Sequence, residues 1–112
     1  MNVLGCISDL MSSTRLQDAA RALGHECTVV RRPEAMIGAL AGVDLVVADL
    51  DIATGDGVAA VRLAHDAGVT VIAYGGHVAV ERLQAARDAG AEAVLTRGDF
   101  VRRLPELLAV SR

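Results

Sequence analysis

The sequence contains no lysine: all eleven of its basic residues are arginine. Aromatic residues make up only 2% of the chain against 53% hydrophobic residues overall. A core must therefore be filled by Val, Leu, Ile and Ala, which suits parallel strands buried on both faces. No run of like charge stands out, and 14 acidic residues against 11 basic ones leave a net charge of −3, so nucleic-acid binding is not favoured. No stretch approaches the roughly 20 apolar residues needed to cross a bilayer, so membrane insertion is not expected. The opening apolar run, Val3 to Ile7, is too brief for a signal segment and has no basic residues before it, so a cytoplasmic protein is expected. Cys6 and Cys27 lack the spacing of a metal site or redox motif and read as buried free thiols. The 112 residues show no linker, repeat or low-complexity tract, and residues 1–112 are expected to form one domain.

What is present is alternation. Apolar runs at Asn2 to Ile7, Glu26 to Arg31, Asp44 to Ala48, Thr70 to Tyr74 and Glu92 to Leu95 read as five strands, separated by segments of helical period. Leu16, Ala19, Ala20 and Leu23 form one stripe, stopped by Gly24. Gly42, Gly68 and Gly90 repeat the stop. Pro33 suits the first turn of a helix after the second strand, and Asp56 and Asp99 suit helix caps. Val80, Leu83 and Ala86 mark the inward face of the fourth helical segment, and Phe100, Leu104, Leu107 and Leu108 that of the last. Pro105 either kinks or restarts that last helix. Alternating βα units with right-handed crossovers favour an α/β, three-layer, flavodoxin-like doubly wound parallel five-stranded sheet in the order 2-1-3-4-5. Functional residues are expected beyond the carboxyl ends of its strands.

At that end the third strand runs into Asp44-Leu-Val-Val-Ala-Asp49-Leu-Asp51-Ile-Ala-Thr-Gly-Asp56-Gly57, and the fifth into Ala89-Gly-Ala-Glu-Ala-Val94-Leu-Thr-Arg97. These blocks resemble the receiver (CheY-like) domain of bacterial two-component response regulators. The resemblance implies that Asp49 is the phosphoacceptor candidate, that Arg97 stands at the position of an essential lysine, and that Asp51 lends a carbonyl to a bound cation. Such chemistry brings a carboxylate against an anionic donor, so receivers hold Mg2+ with acidic residues after the first strand plus the acceptor. Here the cation ligands would be Asp9 and Asp49.

The pattern is incomplete. After the first strand stands Ser8-Asp9, with one carboxylate where receivers carry two. Either this pair matches the acidic pair, or Ser8 takes the second acidic position and Asp9 lies one residue beyond. Gly75 replaces the hydroxyl residue that binds the transferred group, and Val94 replaces the aromatic residue of many receivers. Arg97 keeps the charge of the lysine but not its geometry.

The bland readings are that Asp51 faces solvent or caps the following loop, that His77 is an exposed residue near a helix start, and that Arg102 and Arg103 face water rather than making a basic rim with Arg97. The expectation is a pseudo-receiver: a signalling module, not an enzyme, that docks on a histidine kinase or other signalling protein, or associates with itself. Two alternatives remain. One is a working single-domain response regulator phosphorylated on Asp49 with Mg2+. The other is a nucleotide- or cobalamin-binding domain, suggested by Gly75-Gly76.

Overall fold

The computed structural model of the chain describes residues 1–109. Five strands are found: β1 (Asn2–Cys6), β2 (Glu26–Val30), β3 (Leu45–Asp49), β4 (Thr70–Gly75) and β5 (Ala93–Thr96). Each pairs in parallel with its neighbours, in the order β2-β1-β3-β4-β5. Four helices cross between them or come after: α1 (Leu10–Ala22), α2 (Gly57–Asp66), α3 (Val80–Asp88) and α4 (Arg97–Ala109). This is the doubly wound flavodoxin-like architecture. β3 is buried along its whole length, as a central strand covered on both faces must be.

Two cores sandwich the sheet. Leu16 and Ala20 of α1 and Phe100, Leu104, Leu107 and Leu108 of α4 close one face against Val3, Leu45, Val47, Ile72 and Tyr74. Ala60, Val61 and Ala64 of α2 and Leu83 and Ala86 of α3 close the other against Leu4, Val46, Ala48 and Val71. Small alanines at the contacts let α2 and α3 lie close to the sheet, offsetting the shortage of large rings.

Several sequence expectations change. The segment after β2 forms a 3-10 turn at Pro33–Met36 instead of an α-helix. Pro33 opens it, but four residues cannot bury a helical stripe, and only Pro33 and Met36 are buried. Val80 points outward and Leu23 is also largely exposed, each lying at a helix end off the buried stripe. Asp56 occupies the N-cap position of α2, yet its side chain caps nothing and accepts from the Thr54 hydroxyl. At α4 the cap is Thr96, whose Oγ1 accepts from the Asp99 amide, while Asp99 lies in the first turn and pairs with Arg102 at 2.7 Å. Helix α4 runs unbroken through Pro105. Asp44 precedes β3 and ties down β1, its carboxylate accepting from the Asn2 amide at 2.7 Å. Cys6 is buried and Cys27 half-buried, both unpaired, and burial pushes their thiols up to about 12 and about 11.

Candidate functional site

The carboxyl ends of β1, β3, β4 and β5 deliver Asp9, Asp49, Asp51, Gly75 and Arg97 to one rim of the sheet. Asp49 is the last residue of β3 and 2% exposed. The chain turns sharply after it, and Gly57 explains how α2 fits there. A Cβ on Gly57 would lie 2.5 Å from the Asp49 carbonyl oxygen and 2.6 Å from the Leu50 Cα, closer than real atoms approach. The Asp56-Gly57 pair therefore seats α2 directly on the Asp49 backbone.

Arg97, the first residue of α4, is the centre of the site. Its guanidinium lies 3.3 Å from Asp49 Oδ1, 3.5 Å from Asp51 Oδ2 and 3.9 Å from Asp9 Oδ1, and donates to Ser12 Oγ at 3.2 Å. A planar fork can address several oxygens at once where an ammonium presents a point charge. The guanidinium also lies 5.2 Å from the centroid of the Tyr74 ring, within cation–π range. Tyr74 in turn stacks on Phe100, with centroids 4.1 Å apart and planes within 8°. The only tyrosine and the only phenylalanine of the chain thus form the floor under its central arginine.

Each carboxylate has further partners. Asp9 is the N-cap of α1, its Oδ2 accepting from the Ser12 amide at 2.9 Å. Asp49 Oδ1 accepts from the Asp51 amide at 2.9 Å. Asp51 accepts from the Gly76 amide at 2.7 Å and from Arg82 at 2.5 Å, so it does not simply face solvent. Ser8 Oγ accepts from the Ala53 amide at 2.9 Å, bracing the loop after β3. Ser8 thus fills a structural place beside the site, and Asp9 is the residue after β1 that reaches toward Arg97.

Electrostatics follow from this geometry. Desolvation pushes the Asp49 carboxyl above its ordinary range, against the opposing pull of the Asp51 amide and Arg97, and the charges of Asp51 and Asp9 push the same way as burial. Desolvation acts upward on Asp9 too, but Ser12 and Arg97 outweigh it and hold its carboxyl below the usual range. Burial works against the charge on Arg97 but is overcome by Asp49 and its neighbours, so Arg97 holds its proton more firmly than usual. Burial, with the Asp49 charge, drives the Tyr74 phenol well above its normal value. The Ser12 side chain and Arg97 pull the other way on the buried Tyr74 hydroxyl.

Asp9 and Asp49 are the residues that would hold a divalent cation, and Arg97 lies against both. Arg97 lies against one oxygen of each carboxylate, Asp9 Oδ1, Asp49 Oδ1 and Asp51 Oδ2, and among the described residues no group of three or more His, Cys, Asp or Glu side chains is placed to hold a metal ion. The glycines at the end of β4 are engaged as well: the Gly76 amide is spent on Asp51, and a Cβ on Gly75 would lie 3.3 Å from Leu50 Cβ. His77 is exposed, and Arg102 and Arg103 pair with Asp99 and Glu106 on their own helix. Sequence reading did not single out Ser12, Tyr74 or Arg82. Tyr74 alone carried a usable signal, as the lone tyrosine of the chain immediately before Gly75.

No protein-family model matches the sequence, and no curated protein matches it. Solved structures do match. A response regulator from Thermotoga maritima superposes with a TM-score of 0.75 at 13% identity, over 97% of this chain and 98% of that one. A CheY-like receiver domain protein from Methanospirillum hungatei gives 0.78 at 17% identity, over 96% and 92%. A response regulator from Burkholderia pseudomallei, solved with a phosphorylated aspartic acid, a calcium ion and citrate, gives 0.80 at 17% identity, over 97% of this chain and 66% of that one. Among the described residues, no helix is long and apolar enough to cross a membrane. Across nearly its whole length, this chain has the fold of the receiver domains of response regulators.

Proposed function

We propose that this chain is a pseudo-receiver, a signalling module that works by binding a protein partner rather than by turnover and that does not depend on phosphorylation of Asp49. The observation that carries the reading is the position of Arg97. One guanidinium lies within 4 Å of three carboxylates and against an aromatic floor, neutralising the cluster from within the chain. Receivers neutralise such a cluster with a cation and then bring in a phosphoryl group, and here the protein itself supplies the positive charge. Gly75 offers no hydroxyl to a transferred group, and the Gly76 amide is already taken. The partner would be a histidine kinase or another signalling protein that reads the surface set by this locked site.

The test is incubation with acetyl phosphate and Mg2+, followed by intact-mass measurement. The expected result is no phosphoryl adduct on either the wild type or Asp49→Asn. A stoichiometric adduct lost in Asp49→Asn would overturn the proposal in favour of a working response regulator, in which the Asp49 carboxylate attacks phosphorus and acetate leaves.

A further inference from the structure

Helix α1 has two faces. Ser12, Ser13, Leu16 and Ala20 are its buried residues, and it packs on β1, β2 and α4. Met11, Arg15, Asp18 and Ala22 are exposed, and they recur at intervals of four, three and four residues, the spacing that keeps side chains on one stripe of a helix. The stripe is apolar at both ends, where Met11 is 68% exposed and Ala22 is open to solvent, and charged in the middle.

The two charges of the stripe are not committed within the chain. The Arg15 side chain makes no ion pair or hydrogen bond among the described residues. Asp18 meets Arg21 at 3.7 Å, with side chains 67% and 81% exposed, a contact that solvent screens and that is readily exchanged.

The stripe is also self-complementary. About a midpoint between Leu16 and Gln17, Arg15 exchanges with Asp18 and Met11 with Ala22. A twofold interface needs this property, because residue i of one copy meets residue j of the other while j meets i. Antiparallel packing of α1 on α1 of a second copy sets Arg15 against Asp18 twice and Met11 against Ala22 twice. The small alanine leaves room for the methionine. Other arrangements lose the match. Parallel helices in register set Arg15 on Arg15 and Asp18 on Asp18, and an antiparallel pair centred on either residue sets that residue against its own equivalent.

We infer that two copies of this chain associate through α1, antiparallel, with Arg15 of each facing Asp18 of the other. The inference does not depend on the state of Asp49.

Sedimentation velocity over a concentration series tests it. The wild type is expected to show a reversible monomer–dimer equilibrium. Arg15→Asp and Asp18→Arg should each weaken it by about tenfold or more, since each change sets like charges together twice. An equimolar mixture of these two variants should associate again, because the mixed dimer opposes two acidic residues in one copy to two arginines in the other. Met11→Glu should weaken the wild-type dimer as well by removing its apolar ends. All three positions are exposed, so the circular-dichroism melt of each variant at dilute concentration should stay close to that of the wild type. A monomer up to about millimolar concentration, a dimer indifferent to any of the three substitutions, or a mixture that fails to associate would overturn the inference.

Discussion

Replacing Arg97 with methionine removes the guanidinium and keeps much of the side chain's length and apolar stem. The change leaves Asp49 buried with no ion-pair partner and Asp9 and Asp51 facing it. Coulomb attraction at the 3.3 Å separation is about 5 kcal/mol at an effective dielectric constant of about 20 and a quarter of that in water. Arg97 is 40% exposed, so solvent screens part of this interaction, and methionine escapes the desolvation that the guanidinium suffered. The net loss is therefore about 1–3 kcal/mol at neutral pH. Arg97→Lys should cost less, because it returns a charge, but one that reaches fewer of the three carboxylates at once.

The pH dependence gives this prediction its sign. The folded-state pKa of Asp49 lies above its ordinary value, so the native state binds that proton more tightly than the unfolded chain does. Stability contributed by this group falls as pH rises from the ordinary aspartate range through the raised folded value. Loss of Arg97 moves the folded value further up. The deficit of Arg97→Met should thus be largest at about pH 7.5 and shrink toward about pH 4.5, where protonation relieves the buried charge. Asp9 acts in the opposite sense: its lowered pKa gives stability that is present above the ordinary aspartate value and lost as pH falls through the folded one, below this window. Urea denaturation followed by far-UV circular dichroism at the two pH values measures the difference. A deficit below about 0.5 kcal/mol, or one constant with pH, would refute the placement of Arg97 as the internal counter-charge.

The same variant should change the response to cations. MgCl2 at about 10 mM should leave the wild-type melting temperature unmoved and raise that of Arg97→Met, as differential scanning fluorimetry would show, since binding to the native state alone stabilises it. Gly57→Ala forces a methyl against the Asp49 carbonyl and should cost about 1–3 kcal/mol in urea denaturation, with a parallel change in near-UV signal from Tyr74 as the rim shifts. Phe100→Ala removes a 1% exposed ring from under Tyr74 and should cost about 3–5 kcal/mol by the same denaturation assay.

How much of this could be read from the sequence depends on the range of the interactions involved. The five strands and their order were legible because apolar runs and crossover handedness are local or topological facts. Strand ends moved by a residue where a side chain competed for the terminus, as at Asp44, whose carboxylate holds Asn2, and at Thr96, which ends β5 and caps α4 together. The missing helix after β2 was not legible, since Pro33 is equally suited to open an α-helix or a 3-10 turn, and only the packing of the residues after it decides between them. At the site, the convergence of Asp9, Asp49, Asp51, Gly75 and Arg97 follows from their places at strand ends. The partners of Asp51 did not follow, because Gly76 and Arg82 lie 25 and 31 residues away along the chain.

The residues that differ from the receiver pattern are coupled to one another in the structure. A side chain at Gly75 would begin 3.3 Å from Leu50 Cβ and 3.7 Å from Asp51 Oδ1, so a larger residue there would press on the space that Asp51 uses to reach the Gly76 amide. Asp51, held by that amide and by Arg82, offers its carboxylate to Arg97 Nη2, while Asp9 lies nearest Nη1. Arg97 reaches all of them because its fork is longer and broader than an ammonium, and Tyr74 and Phe100 supply the flat surface on which it rests. A glycine, an aspartate, an arginine and an aromatic floor thus support one another. On the proposed pseudo-receiver reading, restoring a single receiver residue would meet the other three still in place, and the site would act as a self-neutralised cluster.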